Sequence, residues 1–191
     1  MYSRILMKMV RSEFKRVIQF AKGLGLEVKI VSKPSDFHGH YAEPCLEGSG
    51  VITIVKSGKT TLTFQLATLL HEIGHHLDFT ENKIAIEAYH FIEGSSDKKA
   101  PEWARKAIYN SERRAIQNAE KLYWTLMLKV PYWRIRQEFE VDLYLYSVFL
   151  RTADFPLEEE LVKFRKHWAR RHKKQFSINA KQAILAAHDE D

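Results

Sequence analysis

His71, Glu72 and His75 form a His-Glu-x-x-His, and His76 follows at once. In an α-helix, residues four apart share a face and stand about 6 Å apart along the axis. Two imidazoles at that spacing can grip one divalent cation, zinc above all, while Glu72 can reach a water on it. The chemistry this suggests is metal-assisted hydrolysis, with a protein or peptide as the expected substrate. At the chain's own His and Glu frequencies, about 0.04 such matches arise by accident.

A hydrolytic zinc takes three protein ligands and keeps one position open for water. Gly and His at fixed offsets beyond the motif would supply the third in one arrangement, but Asp78 and Glu81 stand there. A carboxylate on a separate helix remains, and Glu112 is the leading candidate. Thirty-six residues separate it from His75, and Ala115, Ile116, Ala119 and Tyr123 continue along its side. Small residues there would let that helix approach Gly74, while Arg113 and Arg114 point to solvent or acidic partners. Glu120, two turns along the same face, then Glu87 and Glu93, are the rivals. A first-turn glutamate that merely complements the helix dipole is the bland alternative for Glu112. Asp78 is too near His75 in sequence to swing over the metal, but could orient an imidazole. His76, rotated about 100° from His75, reads as a neighbour of the cleft.

The elements that must position these residues follow from periodicity and punctuation. Gly50 to Val55 reads as a short buried strand, Ser57 to Thr61 as a turn, and Leu62 to Phe79 as the metal helix. Leu62, Leu66, Leu69, Leu70, Ile73 and Leu77 form the apolar face of that helix. Ala67, His71, Gly74, His75 and Asp78 lie opposite. Upstream, Ile5 to Leu24 carries a helical apolar stripe stopped by Gly23 and Gly25, and Leu26 to Val31 alternates like a half-exposed strand. Pro34 to Gly50 is a polar, Gly/Pro-punctuated stretch that can close a hairpin with the Val51 strand. Downstream, helices are expected over Lys83–Glu93, Pro101–Tyr109, Glu112 to Lys129 with Asn110 or Ser111 as cap, and Tyr132–Arg151. Pro156 opens a basic terminal helix whose Glu158, Glu159 and Glu160 complement its dipole. The fold class is α+β: a small antiparallel or mixed sheet against a predominantly helical body. The expected division is 1–155 for the metal domain and 156–191 for a basic extension.

With 191 residues and 45% apolar content, the chain can bury a substantial core. Its single Cys45 excludes an intramolecular disulfide framework or a four-cysteine zinc ribbon, and suits a reducing compartment. No signal-like or membrane-spanning apolar run occurs, so a cytoplasmic location without membrane contact is expected. Net charge is +6, and Lys163 to Lys174 holds seven Lys/Arg in twelve residues around Phe164 and Trp168. That patch could give weak contact with nucleic acid or an acidic partner, although a solvated helix face is the plainer reading, since no recognised nucleic-acid module accompanies it. Oligomeric state is not legible.

The strand Val51–Val55, the helix Leu69–His76 and the segment Glu112–Ala119 together resemble the gluzincin type of His-Glu-x-x-His peptidase. The likeness is to small ImmA/IrrE-like and phage-associated zinc peptidases, over residues 26 to 125. The resemblance implies a minimal zincin-like fold, a zinc ion held by His71, His75 and a glutamate, and Glu72 as catalytic base. Gluzincins such as thermolysin place an aspartate four residues after the ligand glutamate, where this chain has Ile116. Neither a helix-turn-helix nor a zinc-ribbon repair-peptidase module is attached. In the expected mechanism Glu72 moves the water proton to the leaving amine. An oxyanion donor would come from His90, Tyr89, Tyr109, Tyr123 or His40. The competing expectation is a non-catalytic module stabilised by zinc, binding protein or nucleic acid, with His76 or Cys45 closing the site as a fourth ligand.

Overall fold

The computed structural model describes residues 2–32, 39–42, 50–56, 60–80, 82–93 and 100–172, with 2–5, 39–42 and 93 as backbone only. Two compact units divide the chain, Met1–Phe155 and Pro156–Asp191.

The first unit opens with helix α1 (Tyr2–Gly23), whose Val10, Phe14, Val17 and Ala21 are buried at helical spacing. The helix ends because Gly25 adopts φ +80°, a left-handed conformation that a side chain would strain. That turn lets Gly25 N–H bond to Lys22 O and Leu26 N–H to Ala21 O, both at 3.0 Å, closing the last carbonyls. Strand β1 (Glu27–Val31) follows, then β2 (Gly39–Ala42) and β3 (Val51–Val55). The sheet order is β1-β3-β2. β1 pairs with β3 in parallel, from Glu27↔Val51 to Val31↔Val55, and β2 pairs antiparallel, with Gly39 opposite Ile54. The sheet is therefore mixed, and the purely antiparallel option is overturned by the β1–β3 register. β2 also falls within the Pro34–Gly50 stretch, whose other residues 34–38 and 43–49 (Cys45 among them) lie outside the described residues. β3 is central, and its Ile52 and Ile54 are fully buried.

Helix α2 (Leu62–Phe79) is the spine of the unit. Thr61 caps it, its side-chain oxygen accepting from Phe64 N–H at 3.1 Å. Leu66, Leu69, Leu70 and Ile73 are fully buried, each worth about 1.5–3 kcal/mol relative to exposure. Helix α3 (Lys83–Glu93) follows. Helix α4 (Glu102–Thr125) is continuous, which corrects the expected break at Tyr109 and the cap at Asn110 or Ser111. Pro101 starts the whole helix, and the Ser111 hydroxyl is directed across to another helix instead of capping its own. Helix α5 (Tyr132–Thr152) completes the unit. One core joins α1, β3, α2, α4 and α5, with Ile116, Leu122, Ile135 and Phe139 filling it from the last two.

In the second unit residues 158–172 form helix α6. Leu157 N–H donates to Glu160 Oε2 at 3.0 Å at its start. Lys163, Lys166, His167, Arg170 and Arg171 are exposed, whereas Trp168 is buried and stacks on His172. The expected fraying of the terminus and the end of the basic run, residues 173–191, lie outside the described residues. Among the described residues no helix is long and apolar enough to cross a membrane.

Candidate metal centre

One turn of α2 places His71 and His75 side by side, and both rings are buried. Their Nε2 atoms approach to 3.0 Å. From α4, Glu112 brings Oε2 to 3.0 Å from His71 Nε2 and 3.4 Å from His75 Nε2. The two helices come this close because position 74 lacks a side chain. A Cβ there would lie 2.1 Å from the Ala115 carbonyl oxygen. Asn118 Nδ2 donates to the Gly74 carbonyl at 3.3 Å across the same crossing.

Three ligand atoms around a tetrahedral zinc at about 2.0–2.1 Å should stand roughly 3.3 Å apart. The observed 3.0, 3.0 and 3.4 Å separations match that spacing. Glu112 is only 1% exposed, and among the described residues its Oε2 has no partner beyond the two imidazole Nε2 atoms. A buried carboxylate needs a positive partner, and a cation between it and the two imidazoles would supply one. His71, His75 and Glu112 are thus a group that could hold a metal ion.

The rivals for the third place are elsewhere. Glu120 accepts from Tyr132 at 2.5 Å and pairs with Arg136. Glu87 is exposed, and the Glu93 side chain lies outside the described residues. Glu112 sits in the middle of α4, not in a first turn, so a dipole role does not account for it. His76 is half-buried and outside the ligand group, and burial lowers its pKa. Asp78 does not orient an imidazole, which corrects that expectation. Its carboxylate accepts from Ser111 Oγ at 2.7 Å, Arg114 Nε at 2.5 Å and Arg114 Nη2 at 3.2 Å. Asp78 is one turn beyond His75 and Ser111 is next to Glu112, so this clamp fixes the crossing beside the ligands.

Among the described residues neither histidine Nδ1 atom has a hydrogen-bond partner. Ring packing orients them instead: His75 lies 5.4 Å from Phe79 and 6.3 Å from Tyr89, and His71 6.4 Å from Phe139, between centroids. Hydrogen bonding is concentrated on the carboxylate. Tyr89 donates to Glu112 Oε1 at 2.5 Å, and Tyr146 feels the charge of the same carboxylate. Burial first, and the Glu112 charge second, raise both phenols well above the ordinary tyrosine value, so both remain donors.

Sequence reasoning missed the face that α5 contributes. Phe139, Asp142 and Tyr146 stand at i, i+3 and i+7, a spacing that reads equally well as an ordinary core stripe. Desolvation pushes the Asp142 carboxyl up to about 7; His71 opposes this, and Glu112, Glu138 and Glu72 add to it. Glu72 is buried on the metal turn, and its charge is felt at His71, Tyr89, Asp142 and Tyr146. Among the expected oxyanion donors, Tyr89 is committed to Glu112 and Tyr123 donates to the Val130 carbonyl. His90 is exposed, Tyr109 is half-buried, and the His40 side chain lies outside the described residues.

Comparison with known proteins finds no matching family model, no matching curated protein and no matching solved structure. The reading of this site rests on its own residues.

In the metal-free protein burial disfavours charge on His71, but the Glu112 carboxylate outweighs it and lifts the imidazole to about 9. Glu112 is correspondingly held well below the carboxylate range: burial works against its charge, and the two imidazoles overcome it. The folded-state value of His71 lies above its ordinary 6.5. Its stabilisation is therefore complete below 6.5 and is lost as pH rises through about 9. Thermal melts of metal-stripped protein should accordingly fall in midpoint from pH 6.5 to 9. Zinc-loaded protein should not show that decline, because the cation replaces the proton.

Proposed function

We propose that this chain is a zinc-dependent hydrolase of the His-Glu-x-x-His, zincin-like kind, cleaving peptide bonds. The convergence of His71 Nε2, His75 Nε2 and the buried Glu112 Oε2 carries the reading. His71, His75 and Glu112 would hold the ion. When bound, zinc lowers the pKa of a water and polarises a carbonyl oxygen.

The chain's own groups do the rest. Glu72, next to one ligand and buried with it, accepts the proton of the attacking water and returns it to the leaving amine. Phe79, Tyr89 and Phe139 line the imidazoles with aromatic surface, limiting water around the site. Hydrolytic zinc sites keep one position open, and three ligands here match that count. The single Cys45 suits a reducing, cytoplasmic setting.

Metal content per chain tests the site. Wild type and Glu120→Ala should carry one zinc, whereas His71→Ala and Glu112→Ala should carry none. Zinc retained by Glu112→Ala, or absent from wild type, overturns the assignment.

A further inference from the structure

Glu112 presents its two oxygens to different surroundings. Oε2 faces the two imidazoles, whereas Oε1 accepts the Tyr89 hydroxyl at 2.5 Å. That length belongs to a charge-assisted O–H···O⁻ bond, roughly twice as strong as a neutral one. Tyr89 comes from α3, so a helix other than the glutamate's own fixes its rotation. The Tyr89 ring is itself held edge-on against His75 and 5.7 Å from Phe79, so its hydroxyl cannot swing away without disturbing a ligand imidazole.

We propose that Tyr89 holds Glu112 as a one-oxygen ligand, so that the cation meets Oε2 alone and a coordination position stays open. This rests on the metal site described above. A carboxylate free to rotate can chelate through both oxygens, and the second oxygen would then compete with water for the open position. Tyr89 is a positioning residue: it acts on the metal through Glu112. In many metal sites such support goes to the histidines; here neither Nδ1 receives it, and the carboxylate does.

Tyr89→Phe tests this with Co²⁺ as the probe. Chelator competition reads affinity, and the visible spectrum of the Co²⁺-loaded protein reads coordination number. The variant should bind Co²⁺ about 10–100-fold more weakly, the usual loss when outer support of a ligand is removed. Its visible bands should also weaken, as expected when coordination number rises above four. Circular dichroism of the metal-free variant checks that the fold is kept, and weak bands of high coordination number in the wild type overturn the proposal without any variant. Wild-type affinity and spectrum in Tyr89→Phe overturn it too and leave the metal site standing. A wild-type protein that takes up no Co²⁺ overturns both. Loss of affinity in a protein that cleaves no peptide keeps this proposal and removes the peptidase reading.

Discussion

Glu72→Gln should remove peptide hydrolysis while leaving one zinc per chain. General-base catalysis contributes about 10²–10⁴-fold, so kcat on a quenched-fluorescent peptide library should fall by at least two orders of magnitude. Glutamine keeps the volume and polarity of a side chain that is 8% exposed, so the helix and its packing should survive. Metal retention is the essential control, because Glu72 is not one of the three converging ligands. Unchanged turnover in Glu72→Gln would assign the base elsewhere, with Asp142 the nearest alternative since its charge interacts with His71 and Glu112. Loss of metal would instead make Glu72 a ligand.

Gly74→Ala should damage both fold and metal site. Alanine is the better helix former by about 1 kcal/mol, so propensity alone predicts stabilisation. Packing predicts the reverse. The added Cβ would meet the Ala115 carbonyl oxygen at 2.1 Å and its carbonyl carbon at 2.8 Å, and both atoms are backbone. No side chain can move aside, so α4 must shift away from α2. Overpacking of this kind costs about 1–3 kcal/mol, occasionally more, and outweighs the propensity gain. At the upper end a net loss of about 2 kcal/mol remains, and at about 2–4 °C per kcal/mol for a chain of this length a Tm drop of about 4–8 °C is expected. Because Ala115 is three residues from Glu112, the same shift should weaken zinc binding. A variant with wild-type Tm and zinc affinity would show that the crossing tolerates a methyl group.

Much of this architecture is legible in the sequence where one physical signal dominates. The span Leu62–Phe79 can be read from the apolar spacing of Leu66, Leu69, Leu70 and Ile73, and those residues are the ones fully buried. The break misplaced in α4 has a physical reason. Asn110 and Ser111 before Glu112 look like a cap, but the Ser111 hydroxyl bonds to Asp78, thirty-three residues away. Strand β2 has only four residues in a polar stretch, too few for alternation to declare itself. Glu112 and Glu120 share a helix face two turns apart, so spacing cannot separate them. What separates them is tertiary: Tyr132 and Arg136 of α5 engage Glu120, while Gly74 admits α4 at the level of Glu112. The approach of Tyr146 and Asp142 to the Glu112 charge was equally hidden, since a helix face says nothing about which neighbour it meets.

The Asp78 clamp carries a consequence for how the protein acquires its ion. Many small zinc domains are unfolded until the metal arrives, so their binding energy is spent on ordering the chain. Here Ser111 and Arg114 already tether α4 to α2 beside the ligands, and a continuous apolar core backs them. Under the proposed zinc reading the chain is a preassembled receptor, and its secondary structure should outlast metal starvation. Zinc occupancy should then follow the free ion concentration as a simple saturation curve, adding thermal resistance in proportion to the logarithm of supply.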